Sequence, residues 1–185
     1  MKMKLIALAG AALALAGCET TTSYPYQPST QNVMAFQSAL APSNTKVQLG
    51  AFTRDQTINT TPNCRMLGPV DVAPGKTMET YIRDAFQAEL FQAGVLSANS
   101  GATIAGRLDA VDLNTMGTGS WTLTMTLTSS ADPSGYQVST TFPFSSSFSA
   151  VSACKNASAA FGPAVNDLIA KAVANPGFVR LAGRP

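Results

Sequence analysis

Ser152 and Lys155 stand three positions apart in Ser152-Ala153-Cys154-Lys155. On a helix this spacing brings an amine within reach of a hydroxyl, the arrangement by which a lysine can deprotonate a serine nucleophile. The companion motifs of Ser-Lys hydrolases are missing, so the pair reads as a helix start, with Ser152 as cap and Lys155 in solvent. Asp109 and Asp112 are the next candidates, since glycoside hydrolysis needs two carboxyls flanking one sugar. On a strand, residues three apart point to opposite faces unless a bulge turns them together, and solvated strand residues are the plainer reading. Gly117-Thr118-Gly119 has the composition of a phosphate cradle, but no helix follows it, and it reads as a hairpin turn. The chain contains no His, which removes the commonest general base, the Ser-His-Asp and Cys-His arrangements and most zinc sites. We therefore expect no catalytic residue, no metal and no cofactor; the chain is not expected to be an enzyme.

The amino-terminal residues have a different job. Lys2 and Lys4 precede an apolar run over residues 5–16, which falls short of the ~20 residues of a permanent membrane helix and suits the core of a secretory signal peptide. The run closes on Leu15-Ala16-Gly17-Cys18. These four residues resemble the lipobox of bacterial lipoproteins, which implies cleavage after residue 17 and lipidation of Cys18. Several acyl chains on one cysteine hold a protein firmly at a bilayer. By the same resemblance, Glu19 rather than Asp after the cysteine implies an outer-membrane address, on the periplasmic face.

With Cys18 given to lipid, Cys64 and Cys154 form an even pair in an exported protein, and a disulfide between them is expected. It would close a loop of 90 residues, worth about 4–5 kcal/mol on the loop-entropy model. The rival readings are two buried thiols, or two ligands of an incomplete metal site.

Removing the leader also removes Lys2 and Lys4, leaving ten basic residues against ten acidic ones. A nucleic-acid partner needs a dense basic surface, and a neutral chain does not provide one. No nucleic acid is expected as a partner.

Any positioning of side chains falls to one domain. Residues 18–43, rich in Thr, Ser, Pro and Gln, read as the lipidated Cys and a flexible tether; within it, residues 33–40 have enough apolar character for a short helix that docks. Residues 44–185 read as the domain proper. Val47, Leu49 and Ala51 alternate as in a half-buried strand, and residues 66–72 offer a second strand, bent by Gly68-Pro69. A helix starts near Lys76 or Thr77, carries Met78, Ile82, Ala85, Phe86, Leu90 and Ala93 on one face, and ends at Gly94. Three strands follow as an antiparallel meander. Ile104 and Leu108 share a face until a bulge near Ala110; Trp121, Leu123, Met125 and Leu127 alternate with Thr122, Thr124, Thr126 and Thr128; Tyr136, Val138, Thr140, Phe142 and Phe144 form the third. The threonine ladder could contact a glycan, but such a face is more often solvated strand surface. A final helix carries Cys154, Ala157, Phe161, Val165, Leu168 and Ala172 and should kink or split at Gly162-Pro163. The fold class is α+β: an antiparallel sheet of the meander plus one or two earlier strands, covered on one face by two helices.

The segment Tyr81-Ile82-Arg83-Asp84-Ala85-Phe86-Gln87-Ala88-Glu89-Leu90-Phe91-Gln92-Ala93-Gly94, followed by Ile104-Ala105-Gly106-Arg107-Leu108, resembles Gram-negative lipoproteins of the YajG type. More distantly it is similar to the amino-terminal domain of the Tol-system protein TolB and to CsgG- and LpoB-like envelope lipoproteins. The resemblance spans about residues 46–173 and rests on fold-forming motifs. It implies a membrane-anchored accessory or assembly factor that works by contact with another envelope protein. A lipid- or glycan-binding auxiliary of an envelope transport system is the second expectation.

Overall fold

The computed structural model describes residues 24–184; the leader, Cys18 and Glu19 lie outside the described residues. Four strands form one sheet in the order β1-β2-β3-β4: β1 (Gln48–Arg54), β2 (Thr103–Asn114), β3 (Gly119–Ser129) and β4 (Tyr136–Phe144). Strands β2 to β4 are the antiparallel meander. Between β1 and β2 the chain crosses over through helix α2 (Met78–Gln92), and the two strands consequently pair in parallel. The sheet is therefore mixed, because a helical crossover returns the chain to the end at which it started.

Local chemistry sets the elements. Thr77 caps α2, its hydroxyl accepting from the Thr80 amide at 3.3 Å, and Glu79 in the first turn complements the helix dipole. Gly94 ends the helix at φ +71°, a left-handed conformation that glycine adopts freely. In β3 every second side chain is buried from end to end, the mark of a strand packed on one face. The register of β2 shifts between Leu108 and Ala110, which places the expected bulge.

Helix α3 (Ala150–Ala174) lies along β4 and closes the core. It is continuous through Pro163, so the expected split does not occur. Gly162 has no Cβ to meet the proline ring, which relieves the usual restriction on the residue before proline. The space between sheet and helices is filled: Trp121, Leu123, Leu127, Ile104, Phe161, Val165 and Leu168 are almost wholly buried. The Trp121 ring lies 5.1 Å from Phe161, and Phe161 lies 5.3 Å from Tyr81, centroid to centroid; the indole N–H donates to the Ala157 carbonyl at 2.8 Å.

The domain reaches back further than residue 44. Helix α1 (Thr30–Leu40) docks against α2 and α3 and buries Phe36 and Leu40 completely. Phe36 packs against Phe86 and Phe178, the latter on a short last helix, α4 (Gly177–Leu181). From Tyr24 onward, the stretch expected as tether is thus part of the folded body. As expected, α2 and α3 are the two helices that cover the sheet; α1 packs on them, and α4 adds a small contact with β3. Residues 66–72 form no strand; a single bridge between Asn63 and Pro69 folds them into a loop, consistent with a proline that cannot donate to a ladder.

Candidate functional site

Among the described residues, one face of the sheet carries no helix. On it, Thr122 and Thr141 hydroxyls meet at 3.2 Å, and Thr124 and Ser139 hydroxyls at 2.9 Å. Asp109 is the centre of this face. It accepts from Thr126 at 2.5 Å, from Gln137 at 3.1 Å and from the Arg107 guanidinium at 2.7 Å. Partial burial pushes its carboxyl up, but the hydrogen bonds from Thr126, Arg107 and Gln137 outweigh that and hold it below the ordinary carboxylate range. Asp112 pairs across the ladder with Thr122 and is exposed. The bulge between Leu108 and Ala110 therefore turns both carboxylates to the same open face. Asp109 is committed to three donors there.

Ser152 and Lys155 are both exposed in the first turns of α3, and among the described residues neither hydrogen-bonds the other. The cap is Ser149, whose hydroxyl accepts from the Ser152 amide at 3.4 Å; Ser152 is not the cap. Gly117 sits at φ +57° in the turn between β2 and β3, a hairpin. Cys64 and Cys154 are joined as a disulfide, their Cα atoms 5.8 Å apart. Among the described residues no group of three His, Cys, Asp or Glu side chains converges as metal ligands would.

Two clusters were not legible in the sequence. The first is buried. Glu89 of α2 is fully buried and accepts from the Ser29 amide at 3.1 Å and the Asn32 side chain at 3.2 Å. The Tyr26 hydroxyl lies between Glu89 and the Asn166 side chain, bonded to both. Burial raises the Glu89 carboxyl above its usual range, against the opposing pull of Tyr26, Ser29 and Asn32. Burial likewise raises the Tyr26 phenol, with Glu89 adding to the effect.

The second is at the end of the molecule where β2 leaves the sheet and α3 begins. Arg65, held at φ +52°, reaches across to two other segments of chain. Its guanidinium donates to the carbonyls of Thr115 at 2.8 Å, Ser147 at 2.6 Å and Phe148 at 3.0 Å. The Cys64–Cys154 bond fastens the same loop to α3. Around this brace stand exposed apolar side chains: Met66, Leu67, Met116, Phe148 and Val151. A signal existed in Phe148, a lone aromatic in the run Ser145-Ser146-Ser147-Phe148-Ser149, but nothing local pairs it with Met66 or Met116.

No family model matches the chain, and no curated protein matches it. The fold is similar to the crystal structure of protein XCC0632 from Xanthomonas campestris, which carries the family-model label DUF330. The TM-score is 0.51 at 14% sequence identity, and the match covers 75% of this chain and 85% of that one.

Proposed function

We propose that this chain is an envelope lipoprotein of the YajG-like kind, held through Cys18 at the periplasmic face of the outer membrane, that serves as a non-enzymatic accessory or assembly factor for another envelope protein. The observation that carries the reading is a short distance along the chain. The lipobox-like Leu15-Ala16-Gly17-Cys18 is followed, eight residues after its cysteine, by Tyr26, whose hydroxyl is bonded to the buried Glu89 of α2. A domain so closely tethered works within a few nanometres of the membrane, where the effective concentration of membrane-borne partners is high.

The ordered polar face of the sheet supports a role in contact. Thr122, Thr124, Thr126, Ser139 and Thr141 are paired with one another or with Asp109, so a partner meets a surface whose side chains already occupy fixed positions. In-cell crosslinking of the full-length lipidated protein tests the reading. One recurrent envelope protein is the expected capture; a folded, abundant protein that captures nothing above background would overturn it.

Glycan binding on that same face is the second reading, favoured by its hydroxyl ladder. A lipid ligand between sheet and helices is disfavoured, because Trp121, Leu123, Phe161 and Leu168 already occupy that space. Native mass spectrometry of protein released from membranes separates the cases: a retained saccharide mass favours the second reading, and a bare protein mass removes it.

A further inference from the structure

The geometry points to the Arg65-braced end of the domain as a membrane-contacting tip, with Met66, Met116, Phe148 and Val151 resting in the lipid interface of the membrane that holds the lipidated chain. The inference rests on lipidation at Cys18. Phe148 and Met66 are wholly exposed, Met116 is 67% exposed and Val151 53% exposed. These side chains come from three separate segments, and the Arg65 bonds and the disulfide hold those segments together. Scattered apolar residues on a surface need no explanation, but a braced cluster of large ones marks a contact.

Two observations identify lipid as the occupant. The first is the course of the chain. The Gln27 carbonyl accepts from Asn166, in the second half of α3, and the Tyr24 carbonyl accepts from Tyr81, which packs on Phe161 nearer the start of that helix. Traced back from residue 27 to residue 24, the chain therefore heads towards the tip. From Gly162, beside the Tyr81 hydroxyl, to the first turn of α3 is a helical rise of ~18 Å. The six residues before Tyr24 extend to ~20 Å at most. The anchored cysteine and the tip can thus lie in one plane.

The second observation is charge. Residues 65–67, 115–118 and 145–155 include Arg65 and Lys155 and no acidic residue. An apolar cluster flanked by cations suits the headgroup boundary of an anionic bilayer.

The test uses the full-length protein, purified from membranes and reconstituted in phosphatidylethanolamine–phosphatidylglycerol vesicles whose acyl chains carry bromine, a short-range quencher of indole fluorescence. Phe148→Trp and Met116→Trp place a reporter at the tip. Phe91→Trp places one on exposed α2 surface at the opposite end, and the parent protein with Trp121 alone gives the baseline. Loss of emission from the two tip reporters, with none from Phe91→Trp, is the expected result. Unquenched tip reporters overturn the inference, as does a concentration-dependent blue shift without bromine quenching, which would mean that a second copy covers the tip. The mass of the same preparation reports acylation of Cys18 separately. Acylated protein with unquenched tips removes the tip and leaves the anchor; quenched tips on unacylated protein remove the anchor and leave the tip.

Discussion

The Asn32 side-chain amide donates to Glu89 Oε1 at 3.2 Å, joining two residues 57 positions apart inside the core. The same nitrogen donates to the Asn166 carbonyl at 2.9 Å. One asparagine thus ties α1 to both α2 and α3. Replacing it removes one of three donors to Glu89 Oε1 and the side-chain donor to the Asn166 carbonyl, so Asn32→Ala should cost about 1–2 kcal/mol. Urea unfolding measures the loss, and hydrogen exchange should show α1 opening before the sheet. An unchanged midpoint would mean that Phe36 and Leu40 alone hold α1.

Glu89 makes stability depend on pH. Its carboxyl is raised in the folded state by burial, so the folded chain binds more protons than the unfolded one. Stability attributable to it is complete below the unfolded value of 4.5 and is lost as pH rises through the folded value. Glu89→Gln keeps an acceptor for Ser29 and Asn32 without the charge. We expect its unfolding free energy to be flatter than the parent's from pH 4.5 upward, read by thermal or urea unfolding across that range. Parallel curves for the two proteins would contradict the assignment.

Reduction of Cys64–Cys154 should lower stability by up to about 4–5 kcal/mol, the loop-entropy limit for 90 residues. The loss should concentrate at the tip, where the loop bearing Arg65 is released, and limited proteolysis near Met66 would report it. Alkylation under denaturing, non-reducing conditions is expected to leave both cysteines unlabelled.

Asp109→Asn weakens the open face. The parent carboxyl is held low by Thr126, Arg107 and Gln137 despite partial burial, so its contribution is present above its unfolded value of 3.8 and lost as pH falls through the folded one. The variant should lose about 1 kcal/mol near neutrality and show a shallower decline in acid. Ser152→Ala, on exposed helix surface, is expected to change stability by less than ~0.5 kcal/mol and to leave any partner capture intact. Loss of capture in that variant would reopen the serine.

The elements that proved legible are those whose signals are local. Thr77 and Gly94 bracket α2 by their own chemistry, the alternation from Trp121 to Leu127 is periodic over the whole strand, and the phase change at Ala110 announces the bulge. Helix α1 was less legible because its docking depends on two apolar side chains, Phe36 and Leu40, together with polar anchors at Tyr26 and Asn32. A segment dominated by Ser, Thr, Pro and Gln carries no sign that its polar groups have buried partners. The Arg65 brace was illegible for a related reason: its acceptors are backbone carbonyls 50 to 83 residues away, and carbonyls have no sequence identity. The parallel pairing of β1 with β2 follows from the crossover, whereas alternation within β1 says only which face is buried.

The three donors around Asp109 have a consequence for how the sheet is assembled. They come from β2 itself, β3 and β4, so the carboxylate is satisfied at one alignment of all three strands. If β3 slid by one residue, Met125 or Leu127 would replace Thr126 opposite the acid, and the threonines would turn inward. Apolar alternation alone already disfavours that slip; the loss of the Thr126 bond to the partly buried carboxylate adds a second penalty. Asp109 thus acts as a marker of correct register, and its worth lies less in the energy of the native state than in the misfolded sheets it makes expensive.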